Sequence, residues 1–573
     1  MPTLEQILPE SDREYLDRVA TLRTCATLPG PPSRIPRPDE LNAHFKKLVA
    51  SWVPHPFSPE EREQVRREGL RYLIIAHKIQ EVQRDIHPRR LPAEIESQLA
   101  FAKQSYLLRF WRIFRINDLP PEILLNILRF VVWDSFRTPV PARLQLTATC
   151  HPWRELLLAD STVWNAIWFR GDLGPRHDRA WAWFERARQS LLDVRIDTDA
   201  NVLSGDEQPS SVLGPDQMRI LLHRLFEKLS TIRMLIVTTD DWESALVVLE
   251  LLSKYALVNG APHLERFELH RGGLKNEDRK SLTWPKLEAQ PFLAGMHPPS
   301  LTYLSLNGIP VDWAGSVLQN LTTLDMRRLP ATYSPDLLRF REILLNCPRL
   351  VKLSMDGAGP KFEEYYVHNP LPAIDLPELM TLVLADFTLP YAQYCVAQLT
   401  APNVNDLTLM NLCGEDYLPL FRQMTGMFPK VQLLTTYSIQ FNPAFSSDMV
   451  RWLDSMPILA YLRVANVATL FFSLFFRESG AAAPVAPRLV VLDASNLDVQ
   501  VVVKFAYERR TTGTQFRKIY LSEDMGKALD SEQHAELSTY PTSLSRLPRG
   551  ATTPEETALS RTAERLSMKR AQT

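Results

Sequence analysis

The chain has 573 residues, with 65 Lys and Arg against 66 Asp and Glu and a formal net charge of −1, a balance that removes the electrostatic case for a nucleic-acid partner, which needs surplus cations to replace counterions. It carries 44 prolines and only 20 glycines, the reverse of ordinary usage, in which Gly at about 7% exceeds Pro at about 5%. That imbalance disfavours glycine-rich phosphate loops and tight Asn-Gly hairpins and predicts many fixed chain stops with few left-handed residues, while a 45% hydrophobic content is enough for a large core.

The first residues, MPTLEQILPESDREYL, lack a basic start and an apolar stretch, so no secretory signal is expected. Residues 1–57 are punctuated by proline and show no clear period. Ser58-Pro59-Glu60-Glu61 then reads as a helix start: Ser58 caps, Pro59 suits the first turn, and Glu61 completes a capping box. Val65, Leu70, Leu73, Ile74, Ile79, Val82 and Ile86 make an approximate helical stripe that His87-Pro88 ends, and a second helix is predicted from Pro92 to about Arg112. Residues 1–111 are therefore expected to be a helical region. The five cysteines (Cys25, Cys150, Cys347, Cys395, Cys413) include no C-x-x-C pair and read as buried thiols of a reducing compartment.

Residues 112–169 carry the densest motif. In N-D-L-P-P-E-I-L-L-N-I-L-R-F-V, Asn117 or Asp118 can cap, Pro120 and Pro121 fit an opening turn, and Ile123, Leu124, Ile127, Leu128 and Val131 form one broad apolar face. A loop containing Thr138-Pro139-Val140-Pro141 leads to Leu144 and Leu146. Pro152 starts a third helix that exposes Trp153 and Leu156, and D-S-T-V-W-N is expected to bring Trp164 back to the helices. This segment resembles the F-box family through Leu119-Pro120, Glu122-Ile123-Leu124, Ile127, Leu144, Cys150, Trp153-Arg154 and Trp164. Its loop from Val132 to Arg143 is longer than usual, and Thr149 replaces an aliphatic residue. A second L-P-x-E, at Leu91-Pro92-Ala93-Glu94, has no downstream Cys-x-x-Trp and reads as a helix start.

The resemblance implies docking on a Skp-family adaptor, which links an F-box protein to a cullin–RING ubiquitin ligase (the SCF complex) while a following region selects the protein to be ubiquitinated. It places Leu119, Pro120, Ile123, Leu124 and Ile127 against the adaptor, with Trp153 at the border or holding the module together. A non-degradative interaction scaffold is the alternative.

Over residues 185–525 the character changes to repetition of L-x-x-L-x-L. The triplets are Leu191/Val194/Ile196, Ile232/Leu235/Val237, Leu264/Phe267/Leu269, Leu301/Leu304/Leu306, Leu321/Leu324/Met326 and Leu350/Leu353/Met355. They continue with Leu379/Leu382/Leu384, Val404/Leu407/Leu409, a weaker Val431/Leu434/Thr436, Leu459/Leu462/Val464, Leu489/Leu492/Ala494 and Phe516/Ile519/Leu521. From Leu321 the starts lie 29, 29, 25, 27, 28, 30 and 27 residues apart, close to the period of leucine-rich repeats. The last two apolar positions, two apart, point to one side of a short strand; helical returns are expected at Pro335–Asn346, Tyr391–Leu399 and Asp448–Asp454. Eight prolines (Pro262, Pro299, Pro348, Pro377, Pro402, Pro429, Pro457, Pro487) stand two residues before a first apolar position, where each can stop the return segment. The fold class expected is α/β: a helical N-terminal region and three-helix F-box, then a degenerate leucine-rich-repeat solenoid.

Residues between the core positions should face outward, among them Tyr303, Arg327, Tyr437, Tyr461 and Arg463, taken as the substrate-binding candidates because tyrosine and arginine suit protein interfaces. No arginine cluster of the kind that reads phosphate accompanies them. Residues 526–573 are polar and weakly basic, and are expected to be a solvated, disordered tail rather than a targeting signal. The most apolar run, Val467–Phe476, is shorter than the roughly 20 residues of a membrane span, so a cytoplasmic or nuclear protein is expected. No P-loop, G-x-S-x-G, H-E-x-x-H or G-x-G-x-x-G occurs and no His stands at metal-ligand spacing; Asp240-Asp241 reads as a loop. The chain is expected to have no catalytic residues, metal or cofactor of its own.

Overall fold

The computed structural model describes residues 8–25, 58–86, 90–113, 116–133, 139–171, 177–198, 213–272, 289–440, 446–476, 484–529, 531–540, 543–548 and 551–558. The chain divides into two compact units, residues 1–159 and 160–573, a boundary that falls inside the module read from the sequence as 112–169. Among the described residues no helix is long and apolar enough to cross a membrane.

In the first unit, helices Glu10–Ala20, Pro59–Asp85 and Ala93–Ile113 share a core of Val19, Ile79, Val82, Ile86, Ile95 and Leu99. The capping box forms as expected: Ser58 Oγ accepts the Glu61 N–H at 3.1 Å and Glu61 Oε2 accepts the Ser58 N–H at 2.9 Å. The buried face is turned from the predicted stripe. Ile75 and Ala76 lie inside and Leu73 is exposed, because this helix packs against two partners rather than one. Arg71 holds the first helix to it through two bonds to Asp12, at 2.5 and 3.0 Å. Three further helices follow, Pro121–Trp133, Pro139–Thr149 and His151–Ala159. Pro139 and Pro141 were expected in a loop but open the middle helix, where a first-turn position needs no N–H partner.

The second unit is built on one sheet. Its strands are β1 (Ala166–Arg170), β2 (Leu192–Asp197), β3 (Ile232–Thr239), β4 (Arg266–Arg271), β5 (Tyr303–Asn307), β6 (Thr323–Arg327) and β7 (Lys352–Asp356). They continue as β9 (Thr381–Ala385), β11 (Asp406–Leu412), β12 (Leu433–Ile439), β13 (Tyr461–Ala465), β14 (Val491–Ser495), β15 (Lys518–Ser522) and β16 (Ser543–Leu547), while β8 (Ile374–Asp375) and β10 (Leu399–Thr400) pair separately. The 14 strands lie in chain order and every pair is parallel. This is the topology of an α/β solenoid, in which each unit covers the next one's apolar side.

The register carries the predicted spacing across the sheet. One unbroken row runs Val194, Leu235, Phe267, Leu304, Leu324, Leu353, Leu382, Leu407, Leu434, Leu462, Leu492, Ile519. All of these are buried, and each such side chain contributes about 1.5–3 kcal/mol relative to exposure. Only the first triplet slips: Leu192, not Leu191, aligns with Ile232, through a register shift between Leu192 and Asp193. The expected returns form helices at Leu337–Leu345, Leu389–Ala397 and Ser446–Asp454.

The eight prolines do more than stop a helix. Each is the second residue of a four-residue turn closed by the first apolar residue, as in Val431 N–H to the Phe428 carbonyl (3.3 Å) around Pro429 and Leu350 N–H to the Cys347 carbonyl (3.0 Å) around Pro348. Proline's fixed φ suits that position. The expectation of few left-handed residues is overturned. Two residues beyond the last core position of eight successive strands the backbone is left-handed, at Gly308, Arg328, Gly357, Asp386, Asn411, Ser438, Asn466 and Asn496. Asn, Asp, Ser and Arg supply six of these turns, so a low glycine content does not mean few of them.

Three smaller expectations change. Asp241 is not loop but the cap of helix Trp242–Asn259, its Oδ1 accepting the Ser244 N–H at 2.6 Å. Cys347 and Cys395 are buried thiols, pushed up to about 11 and about 12 by burial, but Cys25 and Cys413 are exposed. The tail is ordered well past residue 526: helices Glu523–Ala528 and Ser531–Ser538, strand β16 and a helical turn over 554–558 precede residue 559.

Candidate interaction surfaces

Two surfaces collect the residues singled out by the sequence. The first lies on helix Pro121–Trp133. Leu124, Leu128 and Val132, spaced by four, are buried, whereas Ile123, Ile127, Phe130 and Val131 are exposed, Phe130 at 77%. The two sets are offset by one residue, about 100° around the helix, so one side builds the core and the next is left as apolar surface. Leu119 is half-buried and Pro120 exposed. Leu124 was expected at the contact but is 2% exposed; it is a core residue, displaced from the surface by the helix packing on its own unit. Trp153 is half-buried, and its indole N–H donates to Asn117 Oδ1 at 2.7 Å, tying the third helix to the turn before the first. Arg143 is buried with its guanidinium 4.7 Å from the centre of the Trp133 ring, and burial lowers it to about 10.

Trp164 belongs elsewhere. It is buried in the second unit beside Trp183 (5.8 Å between ring centres), with the Arg186 guanidinium 4.9 Å from its ring. Trp164, Ile167 and Phe169 have the spacing of a repeat triplet, and Ile167 pairs with Val194. It is the first core position of a repeat whose strand, β1, lacked leucine and so escaped the leucine pattern.

The second surface is the open face of the sheet, formed by the residues that alternate with the core rows. On β4 and β6 its charges are paired with one another. Glu268 is paired with Arg266 and His270 (2.8 Å to the latter), and Arg327 grips Asp325 at 2.6 Å. Burial alone would raise both carboxyls, but the hydrogen bonds from His270 and Arg266 to Glu268, and from Arg327 to Asp325, hold them below the usual range. Tyr303 is half-buried beneath the Arg266 guanidinium, 4.1 Å from its ring centre. The candidates Tyr303 and Arg327 are thus already engaged within the face.

Tyr437, at 36% exposure, is the most open of the five candidates. Tyr461 is 3% exposed and its hydroxyl donates to Asp493 at 3.0 Å. Arg463 donates to Asp493 at 2.8 Å and to Glu556 at 2.7 Å. Tyr461 and Arg463 were expected to await a substrate; instead residues 551–558 of the same chain lie over them. Burial by itself would lower the Arg463 guanidinium, but Glu556 and Asp493 raise it. Glu555 and Glu556 contact residues 37 and 93 positions upstream, a distance at which no local pattern signals a partner.

No family model matches the chain, and no curated protein matches it. Among solved structures, the leucine-rich repeat-containing protein LegL7 from Legionella pneumophila is similar at 13% identity and a TM-score of 0.29, over 50% of this chain and 91% of that one.

Proposed function

We propose that the chain is a non-catalytic recognition subunit: an F-box segment docks on a Skp-family adaptor of a cullin–RING ubiquitin ligase, and the repeats bind the protein to be ubiquitinated. The observation that carries the reading is the helix Pro121–Trp133, where Ile123, Ile127, Phe130 and Val131 stand exposed at helical spacing beside a separate buried stripe. An apolar helix face of this kind suits burial in a partner's groove, and two of these positions, Ile123 and Ile127, belong to the F-box resemblance. The repeats support a binding role because a long parallel sheet offers an extended open face while its other side is spent on the core.

The test is co-purification of the full chain with a Skp-family adaptor. Capture lost in Ile123→Asp/Ile127→Asp is the expected result; no capture by the wild-type chain overturns the reading. Capture with unchanged half-lives of the proteins bound to the repeats would make the chain a scaffold rather than a degradation receptor.

A further inference from the structure

The open face changes character along the sheet. On β4–β7 the cations Arg266, Arg327 and Lys352 stand against the carboxylates Glu268, Asp325 and Asp356. On β13–β15 Arg463 and Lys518 stand against Asp493 alone. The missing negative charge comes from beyond the last strand. Glu556 takes Arg463 through two contacts, at 2.7 and 2.6 Å. Glu555 accepts from Lys518 Nζ at 2.6 Å and from the Tyr520 hydroxyl at 2.9 Å. Burial would raise both glutamates, yet these donors hold them below their ordinary range.

The segment that brings them is self-contained. Thr553-Pro554-Glu555-Glu556 is a helix start in which the Thr553 N–H donates to Glu556 Oε2 (2.8 Å) and the Glu556 N–H donates to Thr553 Oγ1 (3.3 Å), a reciprocal capping box. Two adjacent carboxylates are thereby set at the spacing of Arg463 and Lys518. The ion pairs and the Tyr520 bond run between side chains, so another chain could offer the same groups.

From this we infer that the open face of β13–β15 is a binding site for a short acidic peptide that begins a helix with two adjacent carboxylates, and that the chain's own Thr553–Glu556 occupies it, so that a partner must displace this segment to bind. The inference names the partner chemistry of the repeat face and rests on the reading that the repeats bind protein; its test contains no adaptor, so failure of adaptor docking leaves it standing.

The experiment uses the full chain and a fluorescent peptide of residues 551–558, followed by anisotropy. The variant Glu555→Gln/Glu556→Gln keeps the shape and, through Gln at the box position, the cap, but removes both charges. It should bind the peptide about tenfold or more tighter than the wild-type chain, whose site is filled. Adding Arg463→Ala/Lys518→Ala should abolish that gain, and a peptide with both glutamates changed to Gln should not bind. A chain ending after Pro548 should behave like the Gln variant, which guards against a folding effect of either change. Equal binding by wild type and both relieved chains, or no binding to any of them while circular dichroism shows them folded, would overturn the inference: the segment would then be a fixed part of the fold.

Discussion

Thr436 lies in register with Val464, so a hydroxyl occupies a core row in which its other neighbour is Leu409. Thr436 is fully buried and its Oγ1 has no hydrogen-bond partner among the described residues. Desolvating a hydroxyl without compensation costs about 1–3 kcal/mol. Thr436→Val keeps the shape and removes that cost, so it should raise the unfolding free energy by roughly 1–2 kcal/mol. Urea denaturation of the two proteins measures the difference, and a destabilised variant would show that the hydroxyl is satisfied in solution.

Gly357 occupies one of the repeated left-handed positions, with φ of 57°, and a Cβ there would meet Asp386 Cβ at an ordinary 3.6 Å. Space is therefore not the constraint; backbone conformation is. Gly357→Ala should lose about 1 kcal/mol of stability. Gly357→Asn should lose less, because Asn already holds the equivalent turn at positions 411, 466 and 496 and tolerates it best after glycine. A larger loss in the Asn variant than in the Ala variant, by thermal melting, would refute the account.

What could be read in advance, and what could not, follows from where the information lies. The row from Val194 to Ile519 was legible because an i, i+3, i+5 spacing and a proline two residues ahead are local, and stacking merely repeats them. The first strand, around Ile167, escaped because Trp164 and Phe169 stand where other repeats have leucine, and Trp164 also fitted another motif. Leu124 and Ile127 could not be assigned to core or surface from one apolar face, since the dividing line depends on what packs against the helix. The pairing of Glu556 with Arg463 spans 93 residues, and composition marked its segment only as polar.

Asp406, half-buried on the open face, is raised to about 6 by burial, with Lys352 and Arg463 offsetting part of the effect and Glu556 adding to it. Its folded value thus lies above that of an unfolded aspartate, about 4. Below pH 4 both states hold the proton and nothing is lost. As pH rises to 6 the unfolded state releases its proton first, and above 6 the folded state carries the full cost of the buried charge. Asp406→Asn should therefore be more stable than wild type by about 2–3 kcal/mol at pH 7.5 and indistinguishable from it below pH 4. Melting temperatures of both proteins across that range read the crossover; a constant difference would mean that Asp406 does not titrate there.

Leu124 and Ile127 stand less than one turn apart on the same helix, one buried and one exposed, and so separate folding from docking. Leu124→Ala removes a filled core position and should cost about 2–5 kcal/mol of stability. Ile127→Ala removes exposed surface and should change stability by less than about 0.5 kcal/mol. On the docking reading the order reverses in adaptor capture. Ile127→Ala should weaken binding at full stability, while Leu124→Ala should bind normally below its melting temperature. A pull-down at 4 °C beside a melting curve for each variant gives both quantities. If Ile127→Ala leaves capture intact while Leu124→Ala abolishes it in folded protein, the adaptor reads the other side of this helix and the proposed contact face is wrong.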